Sequence, residues 1–280
     1  MREHTLACLG PHGFHRLHYY EWGEPANARV LICVHGLTRN GRDFDALAKV
    51  LSKDYRVLCP DMPGRGKSEW LTHKEDYAYP VYCADMAALI ARSGAATVDW
   101  VGTSMGGIVG MLLAAQAGSP IRKLVMNDVG ARIPATALGR LKTYVGKDPT
   151  FGSLEEAEAY LRFVSAPFGS LTDAQWRHLS EMSFRLRDDG TWGLVYDPAI
   201  ANAFAGPPAD VDLWTFWDLV RCPTLVLRGA ESDLLPHETA LEMMRRGPKA
   251  KLVEFPGIGH APMLMAEDQI AVVRDFLLTD

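Results

Sequence analysis

Short runs of apolar and β-branched residues recur along the chain, at 29–34, 55–59, 97–102, 122–126, 224–227 and 251–255. Amphipathic, helix-like stretches at 43–51, 81–91, 105–117, 237–246 and 269–278 lie between most of them. Strands that are apolar almost throughout, alternating with helices, predict an α/β protein whose mainly parallel sheet is covered on both faces. An earlier pair of runs, at 6–9 and 15–22, predicts antiparallel edge strands. The rhythm stops between residues 131 and 220. Helical pieces at 154–164 and 173–186 are followed there by Pro198, Gly206, Pro207 and Pro208. The same stretch holds Trp176, Phe184, Trp192, Trp214, Phe216 and Trp217. A connection that long inside a compact domain is usually functional. Its aromatics are expected to form a small core beneath the insertion, and some to line an apolar pocket.

Composition narrows the picture. A chain of 280 residues that is 48% hydrophobic and 22% charged is ordinary globular protein, which excludes disorder and collagen-like repeats. With 29 Lys+Arg against 34 Asp+Glu the net charge is −5, so no basic face advertises a nucleic-acid partner. Of the five cysteines, Cys33 and Cys59 sit inside strand-like apolar runs, where a thiol behaves as a small hydrophobe. That usage predicts a reducing compartment with no disulfide framework. The residues after Met1 lead into no apolar leader, and no apolar run approaches the roughly 18–20 residues that span a bilayer. The expectation is a cytoplasmic protein with a small-molecule substrate and no membrane partner.

The chemistry centres on Gly102-Thr103-Ser104-Met105-Gly106, a G-x-S-x-G. The pattern alone is weak, but an apolar strand runs into it and a helical run leaves it, as a nucleophile elbow requires. Flanking glycines let strand and helix backbones approach, and the sharp turn holds the serine Oγ exposed near a helix N-terminus. Serine needs a base. Among nine histidines, His260 in Gly257-Ile258-Gly259-His260-Ala261-Pro262 follows the last strand, where a loop can fold back over the sheet edge. His4, His12, His15 and His18 crowd an N-terminal segment without catalytic pattern, while His73, His178 and His237 stand in polar contexts. A third group must hold the imidazole. Asp233, in the loop after the strand at 224–227, is the expected acid; Asp128, after the preceding strand, is the alternative, and Glu231 a weaker one. The order Ser104, Asp233, His260 suits an elbow-type hydrolase. The backbone N–H groups of Leu37, in His35-Gly36-Leu37, and of Met105 are the expected oxyanion donors, each worth about 3–4 kcal/mol in a transition state. Asn40 is a candidate for ordering that loop, and Arg39 for facing substrate.

Taken in order, these residues resemble the α/β-hydrolase superfamily of serine hydrolases. The resemblance runs through His35-Gly36, the turn from Asp61 to Ser68, the elbow, Asp233 and Gly259-His260. It implies an eight-stranded, mostly parallel sheet with a lid inserted after the sixth strand. Residues 1–130 and 221–280 would then form the core domain and 131–220 the inserted helical lid. The implied reaction is hydrolysis of carboxylic esters, lactones or thioesters of small to medium apolar substrates through an acyl-enzyme on Ser104. A serine at the elbow argues against dehalogenases and epoxide hydrolases, which resemble this fold but carry aspartate there. Carbon–carbon bond hydrolases share the serine, yet Ala261 stands where they typically carry Trp. Cofactor-free perhydrolases and haloperoxidases have a similar Ser-Met elbow, and some proteins of this kind act as small-molecule receptors. No cofactor is expected. Gly66-Lys67-Ser68 is no phosphate loop, because Asp61 stands where that motif needs glycine. No metal is expected either, since no cysteine pair has C-x-x-C spacing.

Overall fold

The computed structural model describes residues 1–204 and 206–279. Eight strands form the main sheet: β1 (Arg2–Gly10), β2 (Gly13–Trp22), β3 (Val30–Val34), β4 (Arg56–Asp61), β5 (Val98–Thr103), β6 (Ile121–Asn127), β7 (Thr224–Gly229) and β8 (Lys251–Phe255). Their spatial order is β1-β2-β4-β3-β5-β6-β7-β8. From β3 to β8 every pairing is parallel, while β2 joins β4 antiparallel and β1 closes the edge as a hairpin partner of β2.

The pleat sorts the strand residues between two cores, because successive side chains point to opposite faces. Leu31, Cys33, Val57, Cys59, Val101, Val125, Leu225 and Leu227 pack on one face against α1 (Asp45–Leu51) and α9 (Glu267–Leu278). Val30, Ile32, Val34, Leu58, Trp100, Leu124, Met126 and Val226 turn to the other, which is covered by α2 (Tyr79–Ser93), α3 (Met105–Ala114) and α8 (His237–Met243). Both faces being dry explains why the strand runs are apolar throughout rather than alternating. The five cysteines are free thiols. No helix among the described residues is long and apolar enough to cross a membrane.

Between β6 and β7 the chain carries α4 (Ala135–Lys142), α5 (Leu154–Val164), α6 (Asp173–Ser183) and the short α7 (Trp214–Trp217). Ser153 caps α5, and Thr172 with Gln175 forms a reciprocal capping box at α6. The helix expected to reach residue 186 stops at Ser183, and Phe184–Leu186 forms a strand instead. It belongs to a three-stranded sheet with Trp192–Leu194 and Thr150–Phe151. The reason is tertiary: Phe184 is buried edge-on against Phe151, ring centres 5.5 Å apart, a contact a continued helix would not make. A second small pairing joins Arg132–Ile133 to Val211–Asp212. Trp176, Phe184 and Trp217 are buried, whereas Phe216 is partly exposed. Leu141, Val145, Leu161 and Leu194 are continuous with the core on the α3 face.

The tightest crossing lies where α3 leaves β5. A Cβ on Gly106 would stand 2.0 Å from the Val34 carbonyl oxygen, and one on Gly102 would stand 2.2 Å from the Gly106 oxygen. Both obstacles are backbone, so neither can rotate away. Trp100 Nε1 donates to the Gly106 carbonyl at 3.0 Å and pins the same turn. Gly106→Ala is therefore expected to cost about 2–4 kcal/mol of stability, read as a lowered urea midpoint. A midpoint equal to wild type would show that β3 and α3 are not held at this crossing.

Candidate active site

The elbow is built from backbone outward. β5 ends at Thr103, α3 begins at Met105, and Ser104 between them takes φ 52° and ψ −116°. That positive φ is unfavourable for a residue with a Cβ and persists only where the surroundings enforce it. They do so here: the Ser104 N–H donates to the Asn127 carbonyl, and its own carbonyl accepts from Gly107 and Ile108. Ser104 Oγ is thus presented above the strand edge at the start of α3.

His260 reaches it from the loop after β8. Its Nε2 lies 3.0 Å from Ser104 Oγ, and its Nδ1 lies 2.7 Å from Asp128 Oδ2. The loop is fixed from several sides. The Glu231 N–H donates to the Ile258 carbonyl, the Gly259 N–H to Pro167, and Asn127 Nδ2 to Pro262. A Cβ on Gly229 would stand 2.1 Å from the Gly259 oxygen, so β7 and this loop touch backbone to backbone.

The carboxylate facing His260 is Asp128, not Asp233. Asp128 directly follows β6, turns inward at φ 54°, and is fully buried. Besides His260 it accepts from the Gly229 N–H at 2.8 Å and from Ser232 Oγ at 2.6 Å. Asp233 points elsewhere, forming a two-point pair with Arg140 of α4 at 2.6 and 2.9 Å, with nearly half its side chain exposed. Burial works against its ionisation, but the Arg140 guanidinium prevails and holds its carboxyl below the usual range. The expectation for Asp233 is corrected on that geometry: the loop after β7 supplies two donors to the buried acid rather than the acid itself. Glu231 contributes its backbone N–H to the His260 loop.

The loop after β3 passes close to Ser104. A Cβ on Gly36 would meet Ser104 Cβ at 3.7 Å. His35 is fully buried between two backbone groups, with Nδ1 2.6 Å from the Gly36 oxygen and Nε2 accepting from the Met62 N–H. Those partners require a neutral ring with its proton on Nδ1. Burial accordingly pushes the imidazole down to about 4, against the Gly36 hydrogen bond. The turn from Asp61 to Ser68 braces the same loop. Asp61 accepts from the Gly41 and Lys67 N–H groups, and fully buried Arg65 donates to the Leu37 and Pro63 carbonyls and to Tyr82. Asn40 caps the following turn and donates to the Met182 carbonyl of α6. Arg39 is occupied by Asp43 and Ser183. Neither Arg65, within the Asp61–Ser68 turn, nor Arg140, in Gly139-Arg140-Leu141, was singled out as a site residue by the sequence.

Two cavities open on Ser104 and share Leu37 and Leu141. One, about 100 Å³, also touches His260, Arg39, Arg140, Tyr144, Tyr160 and Tyr196. The other, about 750 Å³, runs past Met105, Ile108, Leu112, Ile133, Leu138 and Leu213 and is mostly apolar. Away from them, Cys8, His15 and Asp85 meet between the edge hairpin and α2, where His15 Nε2 lies 2.9 Å from Asp85.

Fold and site together define an α/β hydrolase. The Alpha/beta hydrolase family profile matches residues 31–273, and the chain belongs to that family. Over 280 residues it is 48% identical to the 3-hydroxybutyrate-oligomer hydrolase of Cupriavidus necator, covering 97% of this chain and 96% of that protein. It is 26% identical to the pimeloyl-[acyl-carrier protein] methyl ester esterase of Vibrio parahaemolyticus, covering 93% and 97%. Among solved structures it is similar to an α/β hydrolase from Novosphingobium aromaticivorans, with a TM-score of 0.86, 35% identity and 98% of each chain covered.

The His35 environment has a measurable consequence. Unfolded, the ring binds a proton near pH 6.5; folded, it does so only near 4. Between those values the unfolded chain holds the extra proton, so stability falls as pH drops through that window, by about 3 kcal/mol in full. Urea unfolding of wild type and His35→Gln across pH 4–7 should show a shallower acid slope in the variant. Parallel slopes would remove His35 as the cause.

Proposed function

We propose that the protein is a serine hydrolase of carboxylic esters that works through an acyl-enzyme on Ser104, with no cofactor. The observation that carries this reading is the hydrogen-bonded chain Ser104 Oγ, His260, Asp128, at 3.0 and 2.7 Å. The esterase and oligoester-hydrolase relatives support it. His260 Nε2 takes the Ser104 proton as Oγ bonds to the ester carbon. Asp128 holds the ring with its proton on Nδ1 and stabilises the imidazolium. The Leu37 and Met105 N–H groups receive the oxyanion, and among the described residues neither has a protein acceptor. The carbon–oxygen bond then breaks, His260 protonates the departing alcohol, and water activated by the same ring releases the acid. Segment 131–220 acts as the lid, since α4 and α5 line the cleft beside His260. The 48% identical relative directs the substrate class toward short oligoesters of 3-hydroxy acids.

Hydrolysis of p-nitrophenyl butyrate tests the assignment. Ser104→Ala should lose about 10⁵–10⁶-fold in kcat, and Asp128→Asn about 10³–10⁴-fold, the scale seen when such residues are removed from other serine hydrolases. Asp233→Asn should lose far less than Asp128→Asn. Turnover surviving Ser104→Ala, or a larger loss from Asp233→Asn than from Asp128→Asn, would overturn the respective role.

A further inference from the structure

The two cavities differ in a way that assigns the two ends of an ester. A leaving alkoxide takes its proton from His260 Nε2, so it must depart on the side of the ring. Of the two, the smaller cavity touches His260, and the large apolar one touches Met105, whose N–H is the proposed oxyanion donor. The acyl chain therefore belongs in the larger cavity and the alcohol in the smaller one, which holds His260 and two arginines.

The smaller cavity contains two arginines with different freedom. Arg39 is nearly buried and spends Nε, Nη1 and Nη2 on Asp43 and Ser183. Arg140, one-third exposed, spends Nε and Nη2 on Asp233 and also lies within hydrogen-bonding reach of Tyr144. A guanidinium offers five N–H donors on two usable edges, and a carboxylate on the side edge leaves the end edge at Nη1 and Nη2 for a second acceptor. Tyr144, which also lines this cavity, stands beside Arg140. Asp233 thus fixes the plane of a guanidinium that lines the cleft.

We infer that Arg140 is a specificity residue that receives the free carboxylate of a short hydroxy-acid leaving group, with Asp233 as its positioning partner. The inference rests on the ester-hydrolase reading above. An oligoester of hydroxy acids carries one free carboxylate, at the end of its terminal alcohol-side unit. Placing that carboxylate on Arg140 seats the last ester bond at Ser104. The small cavity accepts one short unit and the large one takes the remaining acyl chain, so the enzyme removes units from the carboxyl end.

The test compares the free acid of 3-butanoyloxybutanoate with its methyl ester on wild type, Arg140→Gln and Arg140→Lys. Wild type is expected to favour the free acid about fivefold to tenfold in kcat/KM, mostly through KM, the scale of a charge-assisted contact at a partly exposed site. Arg140→Gln should bring the ratio of the two substrates near one, and Arg140→Lys should restore part of it. Equal turnover of both substrates by wild type would overturn the inference while leaving the esterase reading intact, as would a preference that survives Arg140→Gln. Failure to cleave either substrate, with p-nitrophenyl butyrate also untouched, would instead sink the esterase reading itself.

Discussion

The site depends on one buried carboxylate. Asp128 has no exposed surface, and a charge taken out of water is tolerated only when donors replace the lost hydration. Three donors converge on it, from Gly229 at the end of β7, from Ser232 in the next loop, and from His260 beyond β8. The carboxylate therefore joins the ends of three neighbouring strands through its own requirements. The imidazole is not free to wander, because releasing Asp128 would strand a charge in the core. Its Nε2 is in consequence held within 3.0 Å of Ser104 Oγ.

The second constraint is steric. Ser104 adopts a positive φ because backbones pass so closely at Gly102 and Gly106 that the chain cannot relax outward. Strain at Ser104 and close packing between β3, β5 and α3 are the same fact seen from two sides. The loop after β3 shares in it: neutral His35 donates to its Gly36 carbonyl and buried Arg65 donates Nε to its Leu37 carbonyl, which holds the Leu37 peptide in this loop.

Much of this was legible in the chain. Fully apolar runs marked the strands of a two-faced sheet, and the pleat then distributes those residues between the two cores. The elbow was legible because its glycines are demanded by local geometry, and His260 because its loop follows the last strand. What sequence cannot carry is direction. Asp128 and Asp233 both follow adjacent parallel strands, and nothing local says which carboxylate turns inward; a positive φ at one residue and an arginine on α4 decide it. The short strand at Phe184–Leu186 was hidden for a similar reason, since its partners lie six to ten residues further on and helical periodicity masked it.

Because β6 and β7 are parallel neighbours, either of their following loops can deliver an acid to the same point above the sheet. Here the β6 loop provides it, and the division of labour has a consequence. Asp128 must be dry to hold an imidazole, which requires that the β7 loop spend Ser232 and the Gly229 N–H inward. Asp233, three positions after Ala230, is then carried past the site to the rim, where a hydrated carboxylate can orient a guanidinium without being desolvated. One loop thus serves the buried acid with its first residues and the wall of the substrate cleft with its last. Moving the carboxylate that holds His260 to the β7 loop would leave Arg140 without the partner that sets its plane, so the geometry around His260 and the charge of the cleft are coupled through the choice of strand.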